Sequence, residues 1–142
     1  IRDDKTFRSL TYNWFENSSL IKIIKLAAES GFKLVITTDH GTVYVKKPSR
    51  VVGDRETSTN IRYKTGKSLT YEASDVWAVT NPEKLFLPKG NLSSKYIFAK
   101  NNIFLAYPKN YNHFVNYYKE TYQHGGISLE ECIIPISILE PK

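Results

Sequence analysis

The stretch Ser18-Ser19-Leu20-Ile21-Lys22-Ile23-Ile24-Lys25-Leu26-Ala27-Ala28-Glu29-Ser30-Gly31-Phe32-Lys33-Leu34-Val35-Ile36-Thr37-Thr38-Asp39-His40-Gly41 decides the fold class. Leu20, Ile23, Ile24, Ala27 and Ala28 recur at the spacing of one helical face, Ser18 and Ser19 offer an N-cap, and Gly31 supplies the stop. Residues 33–38 are apolar and β-branched, as in a short strand buried on both faces. Helix, glycine and buried strand make half of a βαβ unit. The expected class is therefore α/β, a mixed sheet with flanking helices. Asp39, His40 and Gly41 fall just past the carboxyl end of that strand, where open α/β sheets hold ligands.

Working outward, residues 42–46 alternate as a half-exposed strand does, and residues 75–79 predict another. Between them, residues 48–70 carry Pro48, Gly53, Gly66 and many hydroxyl side chains with little periodicity, and read as a long surface excursion. Pro82 suits the first turn of a short helix reaching Leu85 or Phe86. Residues 96–99 and 103–107 flank Lys100-Asn101-Asn102, which predicts a hairpin. Asn110 can cap a helix running to about Tyr122, Ser128 and Glu131 have capping-box spacing, and residues 133–139 close the chain as a β-like run. Upstream, residues 1–17 are mixed and polar, with Phe7, Leu10, Trp14 and Phe15 spaced for packing.

The chain has 142 residues, 41% of them hydrophobic, which suffices for one domain with a real core. No apolar run is long enough to span a membrane, and no charged start leads into an apolar stretch of signal-peptide type. The sequence starts at Ile1 and contains no Met, so residues 1–142 are expected to be a piece of a longer chain. A single cysteine, Cys132, cannot make an internal disulfide and is expected to be a reduced, buried thiol in a cytoplasmic protein. The formal charge is +6. It is concentrated in residues 43–70, where Lys46, Lys47, Arg50, Arg55, Arg62, Lys64 and Lys67 face only Asp54 and Glu56. Such a patch attracts anionic partners; the plainer alternative is a solvated loop.

Chemistry can rest on few residues, because there are only three histidines. Asp39-His40 offers a carboxylate and an imidazole at one turn, both good ligands for a divalent metal, zinc first. The alternative is a pair that merely caps the turn. His124 precedes Gly125-Gly126 and the Ser128 cap, and its plainer reading is an exposed turn histidine. His113 lies on an aromatic helical face and is not expected to be a ligand.

The string Gln123-His124-Gly125-Gly126-Ile127-Ser128-Leu129-Glu130-Glu131, together with Thr37-Thr38-Asp39-His40-Gly41 and Ile133-Ile134-Pro135, resembles the PglZ domain of the alkaline phosphatase superfamily. Residues 51–64 look like the PglZ domain at the C-terminus of PorX-type response regulators, which act in type IX secretion and gliding. The resemblance implies the C-terminal part of an alkaline-phosphatase-like fold whose upstream half is missing. It implies a two-metal phosphoesterase in which Asp39 and His40 hold one zinc and His124 the other, acting on phosphoesters or oligonucleotides. Its upstream receiver and helical domains would belong to the same chain. Arg55, Arg62 and Lys64 are then expected to hold phosphate oxygens. The family's nucleophile and further ligands have no counterpart here, so this stretch alone is expected to be inactive. The alternatives are a non-catalytic module that binds a sigma factor or another regulatory protein, and a basic nucleic-acid-binding domain.

Overall fold

The computed structural model describes residues 3–54, 57–88 and 93–141. The chain divides into two compact units, one of residues 1–39 with 134–142 and one of residues 40–133.

In the first unit, α1 (Asp4–Asn17) starts where Asp3 accepts a hydrogen bond from the Thr6 backbone N–H at 2.8 Å. This helix was not legible as one in the sequence. Helix α2 (Ser19–Glu29) follows, as its periodicity requires. It ends in a Schellman motif: the Gly31 N–H donates to Ala28 and the Phe32 N–H to Ala27, with Gly31 at φ +75°. Strand β1 (Leu34–Thr37) pairs antiparallel with the last strand, β11 (Ile136–Leu139), Leu34 opposite Leu139. The expectation of a strand buried on both faces is corrected here. Val35 is 61% exposed and only Leu34 of β1 is half-buried, the strand having a single ladder partner among the described residues.

The second unit holds the core. Its strands are β2 (Val43–Val45), β3 (Lys47–Arg50), β4 (Val52–Gly53), β5 (Tyr63–Gly66), β6 (Leu69–Thr70), β7 (Val76–Val79), β8 (Lys95–Ala99), β9 (Ile103–Ala106) and β10 (Thr121–Gln123). They form a three-stranded antiparallel sheet in the order β5-β8-β7 and three two-stranded pairs, of which β3-β9 is parallel. One apolar cluster gathers Val51, Val76, Ile97, Ala99, Ile103 and Leu105. A second gathers Val43, Val45 and Phe104 under Val115 and Tyr118 of α3 (Tyr111–Tyr118). The short helix α4 (Leu129–Cys132) begins after Ser128, as the capping-box spacing requires. The mixed α/β class is observed.

Three further expectations are corrected. Residues 48–70 are not a surface excursion: they supply four short strands and the fully buried Val51 and Arg62. The 100–102 turn is tight, with the Ile103 N–H donating to Lys100, but β8 and β9 lie in different sheets rather than in one hairpin. Cys132 is exposed, not buried. No helix among the described residues is long and apolar enough to cross a membrane.

Candidate functional site

Strand β2 begins two residues after Gly41, and β10 ends at the residue before His124. The two strands pair antiparallel with Gln123 opposite Val43, so the end of β10 and the start of β2 lie side by side. That register carries His40 and His124 to one place. Their rings stack with centroids 3.9 Å apart and planes 8° from parallel. His40 is half-buried and His124 exposed. The His40 Nδ1 lies 2.8 Å from the Gly41 carbonyl oxygen. A carbonyl only accepts, so in the neutral ring the proton sits on Nδ1 and Nε2 becomes the acceptor nitrogen. This is the arrangement in which a backbone carbonyl orients a metal-ligating imidazole.

Asp39 closes the first unit, its Oδ1 3.4 Å from the Thr38 hydroxyl. It is tied to His40 by chain adjacency. His113 stacks on Tyr117 of α3, as its aromatic helical face suggests. Among the described residues, no cluster of three or more His, Cys, Asp or Glu side chains is arranged to hold a metal ion. The two imidazoles fit a divalent metal by donor type, and His40 also by tautomer, but they do not complete a shell.

Hydrogen-bonded to the segments that follow both histidines is a buried ion pair whose partners are 69 positions apart in the sequence. Arg62 is 0% exposed, and its Nε and Nη2 donate to Glu131 Oε1 and Oε2 at 2.9 and 2.8 Å, while Nη1 donates to the Ile103 carbonyl. The same carboxylate accepts from the Gly126 N–H at 2.9 Å and the Ser128 N–H at 3.1 Å. Burial alone would push the Glu131 carboxyl up, but the Arg62 guanidinium and these N–H donors hold it below the usual carboxylate range. Ser128-x-x-Glu131 was visible as a cap and Arg62 as an expected phosphate contact, each with a sufficient local account. Only the fold joins them.

The other expected phosphate contacts are placed as follows. Lys64 is buried, its Nζ 3.1 Å from the Ser58 carbonyl and 4.1 Å from the centre of the Tyr107 ring. Arg55 lies outside the described residues. The described cations of residues 43–70 do not form one open patch, since Lys47 pairs with Asp75 at 2.6 Å and Arg62 and Lys64 face inward.

Burial lowers Lys64 from the ordinary 10.5 to about 8. Between these values the unfolded chain binds more protons than the folded one, so this group makes stability rise with pH. Unfolding free energy is expected to increase by on the order of 1–2 kcal/mol between pH 7.5 and 9.5. The Lys64→Met variant should lose that rise, as measured by urea denaturation at the two pH values. An equal rise in the variant would assign it to other groups.

A comparison with protein families matches residues 2–138 to the family described as the BREX system PglZ alkaline phosphatase-like domain. The chain belongs to the PglZ family, within a superfamily of phosphoesterase type that generally uses metal ions. Among curated proteins, none matches the chain significantly.

Proposed function

We propose that this chain contributes the two-histidine side of a metal-dependent phosphoester hydrolase site, with a phosphomonoester or phosphodiester as substrate. The observation that carries the reading is the stacked His40–His124 pair, with the His40 tautomer set by Gly41. In the proposal His40, with its chain neighbour Asp39, and His124 hold divalent metal, zinc first. Bound metal would supply charge stabilisation at the phosphoryl oxygens. With the His40 Nδ1 proton directed at the Gly41 carbonyl, Nε2 would be the nitrogen to hold a cation. Arg55 is proposed as a phosphate contact. Arg62 acts from inside the fold through Glu131.

The finer setting, an effector domain of a cytoplasmic PorX-type response regulator, is supported by the likeness of residues 51–64. The matched family is described by the BREX system. The second reading, a protein-interaction module, is favoured by the exposure of Trp14, Phe32 and Val35, each above 60%.

The test is hydrolysis of bis(p-nitrophenyl) phosphate and p-nitrophenyl phosphate by the full-length protein, with added zinc or manganese and with chelator. Chelator-sensitive turnover that falls at least a hundredfold in His40→Ala is expected. Metal-independent turnover, or turnover unchanged in His40→Ala, would contradict the proposal, and the absence of any turnover would favour the interaction module.

A further inference from the structure

Glu131 touches both histidine-bearing segments through different atoms. Its carboxylate accepts the Gly126 and Ser128 N–H groups of the loop that follows His124. Its backbone carbonyl accepts the Gly41 N–H at 2.9 Å, in the turn that follows His40. Arg62 holds the carboxylate from below by two hydrogen bonds. The fit is close enough to exclude side chains on both segments. A Cβ on Gly126 would stand 2.6 Å from Glu131 Oε2, and one on Gly41 would collide with the Glu130 carbonyl oxygen.

We propose that Glu131, oriented by Arg62, is the positioning residue that sets the His40–His124 stack. A lone capping glutamate needs only its own N-cap as partner. Here one carboxylate joins a loop and an arginine 69 positions upstream, and the same residue's carbonyl fixes the other histidine's turn. Two segments hung from one residue cannot drift independently. Groups that orient a metal-binding histidine in this way commonly change metal affinity by about 10–100-fold when removed. The inference rests on the proposed function for its consequence but not for its geometry.

The test separates the ion pair from the anchoring. Removing Arg62 or Glu131 alone leaves a buried charge and threatens folding, so paired replacements are used. In Arg62→Met/Glu131→Gln the buried charges are gone, and an amide oxygen remains to accept from Gly126. In Arg62→Met/Glu131→Leu no acceptor remains. The first readout needs no metal: the nuclear Overhauser effect between the ring protons of His40 and His124 in the metal-free protein. The second is zinc affinity by competition with a chelator.

The glutamine pair is expected to keep the ring-to-ring effect and bind zinc within about threefold of the parent. The leucine pair should lose the effect and bind at least tenfold more weakly. Should the leucine pair fail to fold, Ser128→Pro takes its place. Ser128 has φ −69°, which proline accepts, and the change deletes the backbone donor to Glu131 together with the capping hydroxyl while sparing Arg62. It should weaken the ring-to-ring effect while the protein stays folded, with the melting midpoint lowered only by the modest cost of losing an N-cap. A leucine pair or Ser128→Pro variant with the parent's ring contact overturns the inference. The expected ring-contact pattern in a protein that binds no zinc would uphold the positioning and sink the metal reading alone.

Discussion

Replacing Arg62 by alanine is expected to cost about 3–5 kcal/mol of folding stability at neutral pH. The guanidinium is fully buried and supplies two of the four hydrogen bonds on the Glu131 carboxylate. Without it, a charge stays in the interior with only the Gly126 and Ser128 N–H groups to offset its desolvation. The pH dependence carries a sign that separates this from a simple cavity. In the parent, the lowered Glu131 carboxyl adds stability above about pH 4.5 that is lost as pH falls through its folded value. In the variant, burial dominates and the carboxyl rises above its unfolded value, so stability is lost as pH rises. The gap between parent and variant should therefore narrow toward pH 4 in urea denaturation. A gap that is constant from pH 4 to 7 would mean that the loss comes from packing of the arginine stem.

Gly41→Ala is the second large effect. A Cβ there would overlap the Glu130 carbonyl oxygen and lie 3.4 Å from the Ile133 carbonyl oxygen, both backbone atoms that cannot rotate away. The turn must move, and the Gly41 N–H bond to Glu131 must lengthen or break. Overpacking of this kind costs about 1–3 kcal/mol, and the lost hydrogen bond about 1 more. Gly31→Ala is the control. Gly31 has φ +75° but open space around it, so its alanine pays only the conformational term, about 1 kcal/mol. Thermal melts of the two variants should rank Gly41→Ala clearly below Gly31→Ala. The reverse ranking would show that the turn relaxes freely and that its approach to α4 is not required.

What the sequence made legible follows from how local each signal is. Helix α2 and its Schellman stop are set by Leu20, Ile23, Ile24 and Ala27 with Gly31, all within one stretch of chain. The cap at Ser128 and the aromatic helix α3 are equally local, though α3 stops at Tyr118 because the chain turns there into β10. Helix α1 was missed because its first two turns carry few apolar residues and its start rests on Asp3 alone.

Residues 48–70 misled for a different reason. Their inward positions alternate through Arg62, Lys64 and Gly66, so a rule that looks for apolar residues inside sees no strand. An ion pair and a cation–π contact take the place of apolar packing there. The histidines themselves were legible as strand-end and loop residues. Their 3.9 Å juxtaposition was not, since it depends on the β2–β10 register and on a glutamate and an arginine that each looked sufficient where they stood.

Whether His40 and His124 act as one site is decided by a double-mutant cycle on zinc affinity. Full-length parent, His40→Ala, His124→Ala and the double variant would be titrated with zinc against a chelator of known affinity. Each single variant is expected to weaken binding at least tenfold, and the double variant to be far less impaired than the sum of the two. Strictly additive losses, or single variants that bind zinc as the parent does, would contradict a shared site.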